Sequence, residues 1–273
     1  MDLIYITNEP RRARDARSAG VNRVMVDLEI LGKAERQTGR ETRISGHDFD
    51  DLARMAEAVD QDALMVRVNP LHDGSEGEIE QVLQHRPRIV MVPMVRSRWE
   101  LQSLRDLIGG RAVLCLLLET ASALGRADEL LSVEGLDEVH VGLNDLHREL
   151  GLRFMFELLP GGAVEFLSRR AKSHGVRFGF GGVAPVTSEV PIKPEWILAE
   201  HVRLGSTAVI LSRDFDRVAN EDGRRSCERD SVFVKAITEL RDTIEYLGRL
   251  PHAELEVRSE LLRDVVRHIV TPG

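Results

Sequence analysis

Eight short apolar runs follow one another between Leu3 and Leu211, most of them separated by segments with helical patterning. Strands joined through helices run parallel, because each crossover returns the chain to the edge it left. The runs are Leu3–Ile6, Val24–Asp27, Ala63–Val68, Ile89–Val92, two runs that end at Glu119 and Asp145, Val176–Phe180 and Thr207–Leu211. Helices are expected at Glu9–Ala19, from about Asp48, at Glu76–Leu83, around Gly125–Leu131, at Ala163–His174 and near Glu195–Leu204. Eight such units within about 210 residues favour a closed α/β structure, the parallel (β/α)8 or TIM barrel, over an open doubly wound sheet.

The chain divides accordingly into a barrel over residues 1–212, a charged connection over 213–230 and a helical extension over 231–273. The connection is poor in apolar residues. The extension carries two stripes, one through Val232, Ala236, Ile237, Leu240, Ile244 and Leu247, the other through Leu261, Leu262, Val265, Val266 and Ile269. These extra C-terminal helices need a surface to cover, either their own barrel or a neighbouring subunit, and a neighbouring subunit of a homo-oligomer is the expected one.

In a parallel barrel the chemistry sits at the carboxyl ends of the strands. Read in order, those ends give Asp27 with Glu29, Arg67 with Asn69, Pro93, Glu119, and Asn144 with Asp145. Glu119 and Asp145 each close a long apolar run, so both reach the same rim. A single strand-terminal carboxylate is as readily a helix cap or an ion-pair partner, but the pair points to a metal. Two carboxylates with water suit Mg2+ or Mn2+, and the absence of HExxH and CxxC patterns argues against zinc. A 2-oxo acid chelating such an ion would have its enolate stabilised there, with Arg67 holding charge on the same oxygens.

The neighbours read more plainly. Asp27 and Glu29 are expected behind the ligands as hydrogen-bonding partners. Asn69 and Pro70 read as loop chemistry. His47 stands just before a helix, where polarity near a cap is ordinary; the alternative makes it the general base. His140 belongs in the core or at an interface, His147 near enough to Asp145 to touch the site, and Trp99 and Trp196 in packing.

Composition narrows the setting. A net charge of −8, mixed along helical faces, argues against nucleic acid as a partner. No run approaches the roughly 20 apolar residues that cross a bilayer, and the N-terminus lacks a signal-type apolar core. Cys115 in an apolar run and Cys227 in a charged one do not read as a disulfide pair, which fits a reducing, cytoplasmic location.

The segments VDLE at 26–29, VRVNP at 66–70, VP at 92–93, LLETASAL at 117–124 and VEGLDEVHVGLNDLHRELG at 133–151 resemble the HpcH/HpaI aldolase and citrate lyase beta-subunit family. GFGGVAP and LGSTAVILSRDF are similar to its last two strands. The resemblance implies a modified TIM barrel that binds Mg2+ or Mn2+ and makes or breaks a carbon–carbon bond through an enolate. It implies Glu119 and Asp145 as metal ligands and Arg67 as the enolate-stabilising arginine. Gly142 would let substrate approach backbone amides, with Asn144 beside it in substrate binding. An oligomer built through the C-terminal helix is implied as well.

The chain departs from both familiar branches of that family at Ile30, where pyruvate aldolases carry a histidine and acyl-CoA lyases a second acid. The loop that follows is basic, with Lys33, Arg36, Arg40 and Arg43, and suits a small anionic substrate. The expected function is a metal-dependent carbon–carbon lyase or aldolase acting on a 2-oxo acid, with His47 or a metal-bound water moving the proton. The alternatives are a lyase of citryl- or malyl-CoA type that takes a CoA thioester, and a barrel without catalysis that serves as a binding or assembly subunit.

Overall fold

The computed structural model describes residues 1–32, 46–219 and 226–271; the basic residues Lys33, Arg36, Arg40 and Arg43 lie outside them. Eight parallel strands form one closed barrel in chain order. They are β1 (Asp2–Ile6), β2 (Arg23–Asp27), β3 (Leu64–Arg67), β4 (Ile89–Val92), β5 (Val113–Leu118), β6 (Glu138–Val141), β7 (Arg177–Val183) and β8 (Ala208–Leu211). β8 pairs with β1 and so closes the cylinder, and one register shift, between Gly179 and Gly182, interrupts the pairing of β7 with β8.

The helices are α1 (Pro10–Ser18), α2 (Phe49–Ala58), α3 (Ser75–Gln84), α4 (Arg98–Ile108), α5 (Ala121–Gly125), α6 (Ala127–Leu131), α7 (Leu143–Glu149), α8 (Ala163–Ser173), α9 (Pro194–Arg203), α10 (Asp214–Ala219), α11 (Ser226–Gly248) and α12 (His252–Val270). Local chemistry sets several of their starts. Asp48 accepts from the Asp51 amide while the Asp51 side chain accepts from the Asp48 amide, a capping box that opens α2. Ser97 and Thr120 cap α4 and α5 through their hydroxyls.

Successive strand residues face opposite sides of the wall, which separates two buried layers. Val24, Val26, Leu64, Val66, Val90, Leu116 and Val139 pack outward against the helices. Ile4, Met25, Met65, Ile89, Met91, Cys115, Leu117 and Ala208 fill the barrel itself. Burial pushes the Cys115 thiol up, well above the ordinary range, so this cysteine is an inert packing group. Beneath that filling, Arg23 pairs with Glu138 at 2.6 Å and with Asp2 at 2.7 Å, an ionic floor at the amino ends of the strands. His140 lies in the core, as its strand position implies; its Nε2 meets the Gly181 carbonyl at 3.0 Å, and burial drives its pKa down to about 4.

Three expectations change. The apolar stripe of α11 finds its surface on its own barrel: Phe233, Ile237, Leu240 and Leu247 are buried with Leu3, Tyr5, Val209 and Leu211 outside β1 and β8. α12 follows along α9 and buries Leu255, Leu262 and Val266, whereas Leu261 and Ile269 face outward, since the buried positions run at 255, 259, 262 and 266. The first stripe is therefore covered by the barrel itself, while Leu261 and Ile269 of the second remain exposed. The stretch 213–230 is more than a connection, because it holds α10, anchored by the fully buried Phe215, and the first residues of α11. Trp99 does not pack: α4 turns Leu101, Leu104 and Ile108 inward and leaves Trp99 69% exposed. Trp196 does pack, partly buried beneath the Lys193 ammonium. No helix among the described residues is long and apolar enough to cross a membrane.

Because Phe233 lies at the centre of the seam between α11 and the barrel, Phe233→Ala should cost about 3–5 kcal/mol of stability. Urea unfolding should show a lower midpoint at an unchanged slope.

Candidate active site at the carboxyl mouth of the barrel

The mouth is organised by β2 and β3, whose last residues, Asp27 and Arg67, stand directly opposite each other in the sheet register. Their side chains meet as a fork: Arg67 Nε donates to one Asp27 oxygen and Nη2 to the other, both at 2.8 Å. Glu29 adds a carboxylate 3.4 Å from Arg67 Nε. Both acids are almost fully buried. Burial alone would lower the Arg67 pKa, but Asp27, Glu29 and Glu119 outweigh it and hold the guanidinium charged. Asp27 and Glu29 thus lie against Arg67 as its ion-pair partners.

Glu119 follows β5 and is 3% exposed. One of its oxygens, Oε1, accepts the Met94 amide at 3.1 Å. Burial raises its pKa to about 8; the Arg67 charge opposes that rise, and the Glu29 and Asp145 charges add to it. Asp145 sits in the first turn of α7, within electrostatic reach of Glu119, and meets Arg148 at 3.3 Å. Of the two expected metal ligands, Asp145 therefore lies close enough to act on Glu119.

Gly142, the residue before α7, does not offer its own amide to a ligand, because that amide donates to the Leu118 carbonyl at 2.9 Å. Its missing side chain makes room for Glu119 instead. Asn144 stands part-exposed in the first turn of α7. His147 is turned away: two residues along a helix from Asp145, it is buried and its Nδ1 lies 3.1 Å from the Leu143 carbonyl.

His47 comes to the mouth from the residues before α2. Its Nδ1 accepts the backbone N–H of Asp27 at 3.0 Å. A neutral ring bonded that way carries its proton on Nε2, so His47 is held as a donor and must release the Asp27 amide before it can act as a base. Asn69 proves to be a clamp. Its side-chain oxygen accepts from the amides of Ile30 and Leu31, at 2.8 and 2.9 Å, while its own amide groups donate to Glu78. That clamp leaves the Ile30 and Leu31 side chains exposed on the rim.

Among the described residues no group of three or more His, Cys, Asp or Glu side chains is arranged as a ready-made metal cage. The donor chemistry nonetheless fits a hard divalent ion that keeps several waters. Asp27, Glu29, Glu119 and Asp145 face two guanidiniums, Arg67 and Arg148, which leaves two negative charges in excess when all are ionised. A buried carboxyl in such company stays neutral until a cation arrives. A groove of about 730 Å3 lies at the opposite end of the barrel and is rich in arginine, but Arg105 and Arg111 there bind backbone carbonyls and carboxylates of the fold.

Sequence reasoning missed two contributors to the mouth, the Met94 amide and Arg148. Backbone geometry carries the first, and only the spacing of three residues from Asp145 to Arg148 could have suggested the second.

Comparison with known proteins places this geometry. The chain is similar in fold to an HpcH/HpaI aldolase from Desulfitobacterium hafniense DCB-2, with 14% identity, 92% of this chain and 93% of that one covered, and a TM-score of 0.62. It is similar in fold to a citrate lyase beta subunit from M. tuberculosis solved with oxaloacetate and magnesium, at 16% identity, with 86% and 96% covered and a TM-score of 0.58. The citrate synthase SbnG is a third such structure, at 17% identity, with 77% and 85% covered and a TM-score of 0.58. No curated protein matches the chain. Residues 4–177 match the family described as HpcH/HpaI aldolase/citrate lyase, a span that runs from within β1 to the start of β7 and includes every acid of the mouth, and the chain belongs to that family.

Proposed function

We propose that the protein is a divalent-metal-dependent carbon–carbon lyase or aldolase that works through the enolate of a pyruvate-type 2-oxo acid. The observation that carries this reading is the buried Glu119 carboxyl, set beside Glu29 and Asp145 and facing the fixed guanidinium of Arg67. Support also comes from family membership and from the magnesium complex of the M. tuberculosis citrate lyase beta subunit with oxaloacetate.

Glu119 and Asp145 would hold Mg2+ or Mn2+, and the ion when bound supplies Lewis acidity to the keto and carboxylate oxygens of the substrate. Arg67 uses two of its five N–H donors on Asp27, and the others are available to an anionic oxygen. Asp27 keeps that guanidinium from turning, which pre-organises it for charge that develops in the reaction. His47 would serve as the base once it releases the Asp27 amide, taking the methyl proton on Nδ1 and leaving the electron pair in the enolate. Asn144 and the exposed rim at Ile30 and Leu31 face the second reactant.

Three outcomes test the reading. Glu119→Gln or Asp145→Asn should abolish Mg2+-dependent deuterium exchange at the pyruvate methyl group, followed by NMR, and exchange that persists in either variant would overturn the ligand assignment. Arg67→Lys should lower turnover by about a hundredfold or more while the melting temperature changes little, because an ammonium cannot reproduce the fork.

The third outcome is a pH dependence. Glu119 must ionise to bind a cation, so Mg2+ affinity should tighten as pH rises towards about 8 and then level off. Without metal the folded state holds this proton between the ordinary value of 4.5 and about 8, where the unfolded chain has lost it. The metal-free protein should therefore lose stability relative to Glu119→Gln as pH rises through that window. Parallel pH profiles for the two proteins in thermal melts would contradict this assignment.

A further inference from the structure

Glu119 is gripped from two sides by groups that are not themselves ligands. On one side is the Met94 amide, which donates to Oε1. Met94 has φ of 55°, in the left-handed region that side-chain-bearing residues seldom occupy. Its neighbours hold it there. Pro93 fixes its own backbone torsion, and the Val95 carbonyl accepts a hydrogen bond of 2.8 Å from Thr120 Oγ1, the residue after Glu119. The turn after β4 and the end of β5 are thus tied together twice, once through Glu119 and once through Thr120.

On the other side is Gly142. Its φ of −81° is open to any residue, so backbone conformation does not call for glycine here. Space does: a Cβ at this position would stand 2.7 Å from both Cβ and Oε2 of Glu119. Because the clash involves the Glu119 Cβ as well as the tip, rotation of the carboxyl does not relieve it.

We propose that Met94 and Gly142 are positioning residues for the metal, a strained amide and a bare Cα that together fix the Glu119 carboxylate in one orientation between them. Neither touches substrate or ion. The turn after β4 fixes one oxygen and leaves Oε2 for coordination, while Gly142 admits the side chain into the gap before α7. Left-handed backbone held by its surroundings beside a site is a known means of pre-organisation. The proposal rests on the reading of Glu119 as a metal ligand.

Mn2+ binding to the metal-free protein, followed by the electron paramagnetic resonance of free Mn2+, tests it, with thermal melts and circular dichroism reporting on folding. Gly142→Ala and Met94→Val should each weaken Mn2+ binding by about tenfold to a hundredfold, as the loss of supporting groups around metal ligands does. Met94→Gly, which adopts positive φ freely, should bind within about threefold of the unaltered protein. If the unaltered protein binds Mn2+ and both Gly142→Ala and Met94→Val bind it equally well, the cradle is wrong and the metal reading stands. If the unaltered protein binds none, the metal reading falls and takes the cradle with it. Weakening in Met94→Gly equal to that in Met94→Val would assign the effect to the methionine side chain and overturn the role given to its backbone. Should Gly142→Ala fail to fold, the two Met94 variants decide.

Discussion

Closure of eight parallel strands into a cylinder sends every second side chain towards the axis, and the rest of the molecule depends on that parity. On β2 it places Arg23, Met25 and Asp27 at three successive heights. Arg23 joins the ionic floor with Glu138, Met25 joins the apolar filling, and Asp27 reaches the mouth and its partner Arg67. A slip of one residue would send Val24 and Val26 inward and turn the charged groups against the helices. The floor, the filling and the site are therefore one register decision.

Charge at the mouth follows from the same arrangement. Strands that end in Asp27, Glu119 and the approach to Asp145 bring carboxylates together faster than they bring cations. Arg67 is committed to Asp27 by two hydrogen bonds, and its remaining influence on Glu119 does not offset burial, which is why that carboxyl resists ionisation. A site with this imbalance suits a positive guest, and in the proposed reaction that guest and the fixed Arg67 guanidinium would together receive the anionic reactant.

The departure from relatives at Ile30 has a structural counterpart. Ile30 and Leu31 stand out on the rim because Asn69 takes both of their amides, and Asn69 is in turn held by Glu78, which His72 also meets at 2.9 Å. At the position where related aldolases carry a histidine, this chain offers an apolar side chain. His47 reaches the mouth from the residues before α2, fixed by the Asp27 amide. In the proposed reaction, proton handling falls to a ring whose proton-bearing nitrogen is set by a backbone donor.

The sequence by itself determined the eight-strand barrel, because alternating apolar runs and amphipathic helices leave few other ways to bury both faces of each strand. It also marked Asp27, Glu29, Arg67, Glu119 and Asp145, since the carboxyl end of a strand is where a barrel exposes chemistry. Tertiary structure decided what depends on distance between segments remote in sequence. The stripe of α11 had two possible partners, and packing chose the wall of β1 and β8. His147 looked close to Asp145 along the chain, yet helical rotation carried it into the core. Gly142 reads as a turn residue in one dimension and as space for a side chain 23 positions earlier in three. The amide of Met94 carries no mark in sequence, because every residue has a backbone N–H and only the fold aims this one at Glu119.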